Sequence, residues 1–217
     1  WIALDVDANV QAGEGWENTV ELGVILAASL ADRGLRARHP QEVGLLASGA
    51  QTVWLKPQSG ERHRLEILRS LAMLEPGQLP LAEMLDRAGP TLGNRISLIV
   101  ITASIKPDWI PALTHLLWKG ISPTVLLMDP SSFGTPQNAD ALAVVLAEDL
   151  LEHVDAQPTG LVARVIPDVR RVVRVVVVVR VVVGRVHRLG RDGDQGPLHD
   201  LGLELVTEPA DGRRDRR

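Results

Sequence analysis

Cysteine and tyrosine are absent from the 217-residue sequence, and phenylalanine occurs once. Without cysteine there are no disulfide bonds, no thiolate metal ligands and no cysteine nucleophile, which fits a reducing compartment. Aromatic residues make up 3% of the chain and hydrophobic residues 45%, so a full core must be built from Leu, Val, Ile and Ala. The sequence contains neither a signal peptide nor an apolar run long enough to span a membrane.

Charge is distributed unevenly along the chain. Residues 1–163 hold 11 basic and 19 acidic side chains, a net charge of −8, whereas residues 164–217 hold 12 Arg and 8 acidic side chains, a net charge of +4. An acidic body is a poor match for the phosphate backbone of nucleic acid. The basic end has no aromatic side chain on which a base could stack. We therefore predict that nucleic acid is not a partner.

Apolar runs that alternate with amphipathic segments predict the order β-α-β-β-α-α-β-α-β-α. The predicted strands are Trp1–Val6, Glu42–Ala47, Thr52–Leu55, Ile96–Thr102 and Ser122–Met128, and the predicted helices are Val20–Asp32, Arg62–Leu74, Pro80–Ala88, Lys106–Trp118 and Asp140–Glu152. This alternation is typical of an α/β fold with three layers, in which a doubly wound, mostly parallel sheet is covered on both faces. The second and third strands form a hairpin that places one antiparallel strand at an edge.

The first helix has a clear start and an unusually apolar surface. Asn18 is expected to cap it, and the helix is expected to stop near Gly34. Apolar residues occupy most of its sides, so we expect the helix to be largely covered, with Leu26 in the core. We also expect Trp1–Val6, Ile96–Thr102 and Ser122–Met128 to be adjacent parallel strands, with the helix from Val20 buried against them.

The composition changes abruptly from Arg164 onwards. Residues 164–186 contain 13 Val and 6 Arg, and residues 187–217 are rich in Gly, Asp and Arg. One interpretation is a long strand or a strand pair followed by a disordered tail, and the other is a reading-frame slip near residues 148–160. On either interpretation we predict an α/β domain at residues 1–160 and a tail without a function of its own at residues 161–217.

Polar side chains alternate at the end of the first predicted strand, as Asp5, Asp7 and Asn9. The carboxyl ends of the strands are where open α/β sheets place their sites. Oxygen ligands at alternate positions of such a turn suit a hard cation such as Mg²⁺. The alternative is structural, because Asp5 and Asp7 can instead accept backbone N–H groups of the turn that follows.

Six segments between residues 1 and 147 share a pattern with a known family. They are the apolar strand ending at Asp5, E-N-T-V-E-L-G-V-I-L-A-A-S-L-A (Glu17–Ala31), V-G-L-L-A-S-G (Val43–Gly49), L-E-I-L-R-S-L-A-M-L-E-P (Leu65–Pro76), P-L-A-E-M-L (Pro80–Leu85) and V-L-L-M-D-P (Val125–Pro130). Together they resemble the von Willebrand factor A fold and, more closely, the bacterial family called domain of unknown function 58.

Members of that family resemble membrane proteins with two spanning helices near the N-terminus. The genes that encode their A-like domain often lie beside genes for MoxR-type AAA+ ATPases. The resemblance implies a non-enzymatic protein-interaction module on the cytoplasmic side of the bacterial membrane, with a MoxR-type ATPase as its protein partner. Because the sequence opens at Trp1 directly inside a strand, we expect a longer parent protein whose spanning helices lie outside these residues.

The A-fold metal motif is D-x-S-x-S, followed by a Thr and an Asp from later loops. Asp5 matches its first position, whereas the later loops read Gly77-Gln78-Leu79-Pro80 and Thr102-Ala103-Ser104, with Leu79 and Ala103 where the outer ligands are expected. The resemblance therefore implies a degenerate metal site, with no bound cofactor beyond Mg²⁺ at most. The implied metal residues are Asp5, Asp7 and Asn9, and the implied interaction face is Gln78, Leu79, Thr102 and Ser104.

The D-x-D pattern also resembles haloacid-dehalogenase-type phosphatases, which are Mg²⁺-dependent. In such an enzyme Asp5 is the nucleophile and Asp7 the general acid and base. Thr102 or Ser104 would bind the phosphate, and Lys119 would neutralise its charge. Asp129 would help to hold the Mg²⁺ ion. Asn9 departs from the Thr or Val expected after the second Asp. A phosphatase is thus the alternative to the interaction module.

Four tryptophans are further candidates for an interaction surface: Trp16, Trp54, Trp109 and Trp118. An amphipathic ring near a helix end is typical of half-buried packing, and we expect this role for Trp118.

Overall fold

A seven-stranded sheet organises the chain in the computed structural model, which describes residues 1–137, 139–152, 163–167 and 174–180. In chain order the strands are β1 (Ile2–Leu4), β2 (Val43–Ser48), β3 (Thr52–Gln58), β4 (Ser97–Thr102), β5 (Ser122–Met128), β6 (Ala163–Pro167) and β7 (Arg174–Arg180). Their order across the sheet is β3-β2-β1-β4-β5-β7-β6. The first five strands thus follow the order of a doubly wound α/β domain.

Strand directions confirm the predicted architecture. β1 runs parallel to both of its neighbours, β2 and β4, and β4 runs parallel to β5. β3 pairs with β2 in the antiparallel sense and forms one edge of the sheet, as the hairpin pattern predicts. At the other end β7 pairs antiparallel to β5, and β6 pairs antiparallel to β7. The described sheet is therefore mostly parallel at its centre and antiparallel at both ends.

Five α-helices connect the strands within the described residues. They are α1 (Thr19–Leu35), α2 (Glu61–Ala72), α3 (Leu81–Ala88), α4 (Ile110–Trp118) and α5 (Asp140–Glu152). The start of α1 is confirmed, because Oδ1 of Asn18 accepts a 2.8 Å hydrogen bond from the backbone N–H of Glu21. Across the described part of the chain, no helix combines the length and the apolar character needed to cross a membrane.

Two apolar cores, one on each face of the sheet, account for the three layers. Ile2 and Leu4 point toward α1 and α2, where they join Ile67 and other buried residues. Ala3, between them, points to the opposite face and joins a core that includes Leu85 of α3 and other residues of α3, α4 and α5. The alternation follows from the period of two along a strand. Burying each large aliphatic side chain stabilises the fold by about 1.5 to 3 kcal/mol.

The outer side of α1 is more exposed than its apolar sequence predicts. Ile25 is 58% exposed, and Leu26 is only partly buried. The residues that face the sheet are small, including Gly23 and Ala27. A Cβ atom on Gly23 would lie 2.8 Å from Cδ1 of Leu4, so this glycine permits the close approach of helix and sheet. Most of α1 is at least partly covered, as expected, since its exposed residues are Ile25, Ser29 and Arg33. The expectation that Leu26 lies in the core was wrong, because Leu26 is only partly buried.

Part of the predicted tail belongs to the described sheet. In β7, Val175 pairs with Met128, and Val177 pairs with Leu126 of β5. Apart from β6 and β7, residues 161–217 lie outside the described residues, as do most of residues 148–160 where a frame slip is hypothesised. The domain boundary at residue 160 and the two interpretations of the tail stay predictions.

Candidate functional site

The polar cluster lies at the carboxyl ends of β1 and β4, which are neighbours in the sheet. Asp5 follows β1 directly, and its backbone N–H donates to the carbonyl oxygen of Ile101 at 2.9 Å. Its side chain is 1% exposed. Oδ2 of Asp5 accepts a 2.6 Å hydrogen bond from Oγ1 of Thr102, and Oδ1 accepts one of 3.1 Å from the backbone N–H of Asp7. Both carboxylate oxygens of Asp5 are therefore bonded within the protein.

Asp7 and Asn9 form a hydrogen-bonded turn immediately after Asp5. Oδ1 of Asp7 accepts from the backbone N–H of Asn9 at 3.0 Å and from Nδ2 of Asn9 at 2.8 Å. Nδ2 of Asn9 also donates to Oε1 of Gln78 at 3.3 Å. The structure thus brings the three predicted metal residues together. In this arrangement Asn9 turns its amide nitrogen, a donor, toward Asp7, so it is a turn-forming residue.

The loop after α2 is attached to this turn by backbone hydrogen bonds. The N–H of Ala8 donates to the carbonyl oxygen of Gly77 at 2.9 Å, and the N–H of Gly77 donates to that of Val6 at 3.0 Å. No side chain fits at position 77, because a Cβ there would lie 2.4 Å from the backbone of Gly49. Gln78, the next residue of the loop, is exposed and lies beside Asn9.

The four residues predicted as an interaction face differ in exposure. Gln78 is exposed and Leu79 is partly buried against the core on the α3 side. Thr102 and Ser104 are 0% and 4% exposed, and the N–H of Ser104 donates to Oγ1 of Thr102 at 2.9 Å. Thr102 and Ser104 are therefore not surface contacts. They hold Asp5 in place, because the hydroxyl of Thr102 donates to the Asp5 carboxylate and is itself held by the N–H of Ser104.

A cavity of about 270 Å³ opens beside the cluster. Its lining includes Asp5, Asp7, Ser104, Lys106 and Asp108. Lys106 and Asp108 follow β4 on the same loop as Ser104, and the sequence motifs gave no reason to select them. Within the described residues, no group of three or more His, Cys, Asp or Glu side chains has an arrangement that could hold a metal ion.

Burial controls the acidity of Asp5. Removal from water raises the pKa of the Asp5 carboxyl to about 6 from 3.8, because burial disfavours the charged form. The hydrogen bonds from Thr102 and from the backbone of Asp7 act in the opposite direction, and the negative charges of Asp7 and Asp108 add a smaller upward effect. Ionisation of the Asp5 carboxyl is therefore costly, in a site that it shares with the buried Asp7 and the exposed Asp108.

Of the remaining residues in the phosphatase hypothesis, Lys119 lies away from Asp5, and Asp129 follows a strand that is not adjacent to β1. Lys119 ends α4 just before the start of β5, whereas Asp5 lies where β1 ends. Because β1, β4 and β5 are parallel, Lys119 is at the opposite end of the sheet. Asp129 follows β5, one strand beyond β4, and its Oδ1 accepts the N–H of Ser131 at 3.0 Å. The predicted role of Lys119 in this site was wrong, since order along the chain does not give proximity.

Gln11 belongs to the site but no motif pointed to it. Its Nε2 donates to the carbonyl oxygens of Asp5 at 3.3 Å and of Asp7 at 3.1 Å. Its Oε1 accepts a 2.6 Å hydrogen bond from Oγ1 of Thr19, the first residue of α1. Gln11 therefore joins the turn after β1 to the start of α1.

The four candidate tryptophans do not form one surface. Trp109 is completely buried, and Trp54 packs edge-on against Trp1 with ring centroids 5.7 Å apart. Trp118 is 66% exposed, so the expectation of half-buried packing at this position was wrong. Trp16 is 88% exposed.

No protein-family model matches the chain, and the comparison with curated proteins gives no match. Among solved structures, the chain is similar to the crystal structure of an aerotolerance-related membrane protein from Bacteroides fragilis with multiple mutations to serines. The two are 19% identical, the match covers 59% of this chain and 66% of that chain, and the TM-score is 0.44. This chain therefore spans slightly less than two thirds of that protein. The sheet order and strand directions described above, rather than this match, establish the α/β fold.

Proposed function

We propose that this domain is a non-enzymatic protein-interaction module of von Willebrand factor A type, with a degenerate metal site. The observation that carries the proposal is the bonding of Asp5. One carboxylate oxygen of Asp5 accepts from the hydroxyl of Thr102, and the other accepts from the backbone N–H of Asp7. The carboxylate of Asp7 in turn accepts from the side-chain amide of Asn9. These groups are used to shape the loops, so they are poorly available to a metal ion or to a reacting phosphate.

The donor set does not fit an A-type Mg²⁺ site. Mg²⁺ demands nearly octahedral oxygen coordination. Leu79 places an apolar side chain, and Ala103 a methyl group, on the two loops from which that motif draws its outer ligands. Asn9 presents a hydrogen-bond donor to Asp7. In the proposed module the cluster fixes the shape of the carboxyl-end surface.

The contact surface of the module consists of the exposed groups above that cluster. Gln78 and Asn9 are exposed and bonded to each other, and Leu79 is partly exposed beside them. An apolar side chain beside exposed amide groups is suited to a protein contact, because its burial gains free energy while the amides can exchange hydrogen bonds with the partner. Thr102 and Ser104 support this surface from below.

For the partner and the setting, the proposal follows the family resemblance. The partner is a MoxR-type AAA+ ATPase, and the parent protein is anchored in the bacterial membrane by helices outside this chain, with this domain on the cytoplasmic side. The resemblance rests on the strand ending at Asp5, the segment Glu17–Ala31 and the later segments described above.

Binding to the MoxR-type ATPase encoded nearest to this gene tests the proposal. The double variant Gln78→Ala, Leu79→Asp should weaken binding of the purified ATPase by about tenfold or more, since a charge replaces the apolar contact. Lys119→Ala is the matched control, because Lys119 lies at the opposite end of the sheet. Calorimetry that shows no binding to wild-type protein, or equal binding to both variants, would refute this proposal.

The second candidate is a Mg²⁺-dependent phosphatase that uses Asp5 and Asp7, and one observation favours it. Ser104 and Lys106 join the two carboxylates around the 270 Å³ cavity, which supplies a hydroxyl and a cation near the carboxylate that would attack phosphorus. Hydrolysis of a generic phosphate ester with Mg²⁺ is the test. If the wild-type protein hydrolyses the ester and Asp5→Asn does not, the domain is a phosphatase and the interaction-module proposal is refuted.

A further inference from the structure

A short hairpin between the Asp5 turn and α1 carries the most exposed large apolar side chain of the described residues. Gly13–Glu14 pairs antiparallel with Glu17–Asn18, and a two-residue turn of Gly15 and Trp16 joins them. Trp16 is 88% exposed. A solvent-exposed indole has a large apolar area that only a partner can cover, and tryptophan is among the residues most enriched at binding hot spots.

Hydrogen bonds join the backbone turn that carries Trp16 to the start of α1. Gly15 has a φ of 58°, a left-handed conformation that glycine adopts without strain. Asn18 binds the turn to the helix, since its Nδ2 donates to the carbonyl oxygen of Gly15 at 2.5 Å while its Oδ1 accepts from Glu21. Because the turn is already ordered, a partner that binds Trp16 loses little additional conformational entropy.

Hydrogen bonds join the base of the hairpin to the Asp5 turn. The backbone N–H of Thr19 donates to Ala12 at 2.9 Å, and Oγ1 of Thr19 donates to Gln11, which binds the carbonyl oxygens of Asp5 and Asp7. The hairpin therefore stands at the same end of the sheet as the proposed contact surface.

The surroundings of Trp16 are acidic. Residues 1–32 contain no Lys and no Arg, and the charged residues nearest to Trp16 along the chain are Glu14, Glu17 and Glu21. Glu14 lies directly opposite Glu17 in the hairpin register. The carboxylates of Glu14 and Glu21 give this part of the chain a negative charge, which favours a cationic partner.

We propose that the Trp16 hairpin is a docking site for a protein segment that carries arginine beside an apolar side chain. The inference rests on the proposed function as an interaction module and specifies the chemistry of the partner. The guanidinium group of the partner stacks on the indole of Trp16, and its neighbouring cations pair with Glu14 and Glu21. An anionic lipid surface has the opposite charge preference, since the carboxylates around Trp16 repel it.

The test uses a short fluorescein-labelled peptide in which Arg and Leu alternate, with a second peptide that has Glu in place of every Arg. The full chain should bind the Arg peptide and not the Glu peptide. Trp16→Ala should weaken binding by about tenfold or more, and raising NaCl from about 50 mM to about 300 mM should weaken it further. Trp118→Ala is the matched control, because Trp118 is also exposed but lies at the end of α4.

Glu14→Gln provides a second variant that alters charge without altering the turn, and it should weaken binding of the Arg peptide and reduce the salt dependence. The proposal is overturned if the Arg peptide does not bind, if Trp16→Ala and Trp118→Ala lose affinity equally, or if Trp16 mediates binding to vesicles of phosphatidylserine instead. If the protein binds the Arg peptide through Trp16 but does not bind the MoxR-type ATPase, only the identity of the partner is refuted. ATPase binding without any peptide binding refutes only the hairpin site.

Discussion

Oγ1 of Thr102 lies 2.6 Å from Oδ2 of Asp5, although the two residues are 97 positions apart in the sequence. The bond joins the ends of the neighbouring parallel strands β1 and β4. It also links the loops that follow them, since Oγ1 of Thr102 accepts from the N–H of Ser104 while Asp5 accepts from the N–H of Asp7. The hydroxyl of Thr102 thus holds together the two loops that form the site.

Thr102→Val should lower the free energy of unfolding by about 2 to 3 kcal/mol at neutral pH. Valine has the same shape, but it leaves a buried carboxylate oxygen and the N–H of Ser104 without their partner. Urea unfolding measures the effect. Thr114→Val is the control, because Thr114 is a buried threonine whose hydroxyl donates to Ile110 within one helix. Equal losses for both variants would show that the link between strands has no special importance.

The raised pKa of Asp5 predicts that stability depends on pH. Its pKa is about 6 in the folded protein and 3.8 in the unfolded reference. Between these values the folded protein binds more protons, so the free energy of unfolding falls as pH rises from about 4 to about 6 and then levels off. A shift of this size corresponds to about 3 kcal/mol.

Asp5→Asn isolates that contribution from those of other carboxylates. Oδ1 of an asparagine can still accept the N–H of Asp7, and its Nδ2 can donate to Thr102, whose hydroxyl also accepts. We expect the variant to be at least as stable as the wild type at pH 7 to 8 and to show a flatter profile between pH 4 and 6. Urea denaturation across this range gives both curves, and parallel curves would mean that Asp5 titrates normally.

The neighbouring residues Leu26 and Ala27 test which side of α1 packs on the sheet. Ala27 is completely buried, whereas Leu26 is partly exposed. Ala27→Asp places an unpaired charge in the core and should cost about 3 to 5 kcal/mol. Leu26→Asp should cost about 1 to 2 kcal/mol, because its charge can reach water. Thermal and urea unfolding of the two variants decide the comparison, and a larger loss for Leu26→Asp would contradict the orientation of the helix.

Local sequence signals predicted the elements and the general architecture of the sheet, but not which helix faces are buried or which side chains meet. Asn18 marked the start of α1 because a cap is a local event, and the strand ending at Asp5 was identifiable from its apolar run. The Thr102–Asp5 bond depends on which side chains meet at the ends of two neighbouring strands, and strand patterns do not encode this. Lys119 directly precedes the strand at 122–128, so a parallel sheet puts it at the end opposite Asp5, which order along the chain alone does not show.

Burial within a mostly apolar helix was likewise not predictable from the sequence pattern. Because apolar residues occupy most positions of α1, its hydrophobic periodicity does not distinguish the stripe of Gly23 and Ala27 from the exposed Ile25. Small residues face the sheet because they allow the helix to pack closely against Leu4, and polarity does not determine their position.

Truncation after residue 160 tests the predicted domain boundary. β5 retains its parallel pairing with β4, and the described residues of both cores all precede position 147, so the shortened chain should still unfold cooperatively. Loss of β7 exposes the edge of β5, and we expect lower stability and some self-association. Amide exchange and gel filtration measure these effects. A core without slowly exchanging amides would show that residues beyond 160 are essential to the fold.

Mg²⁺ should bind weakly or not at all to the Asp5 cluster. Asp5 has both oxygens bonded within the protein, Asp7 is bonded to Asn9, and Mg²⁺ gives up its own waters reluctantly. A site with a Kd of about 1 mM would raise the free energy of unfolding by about 1.4 kcal/mol in about 10 mM Mg²⁺, and we expect less than this. Urea unfolding with and without MgCl₂ makes the measurement, with Asp5→Asn as the control for nonspecific salt effects. Stabilisation above that value in the wild type, absent from the variant, would mean that Mg²⁺ displaces the hydrogen bonds of Asp5 and that the metal site is intact.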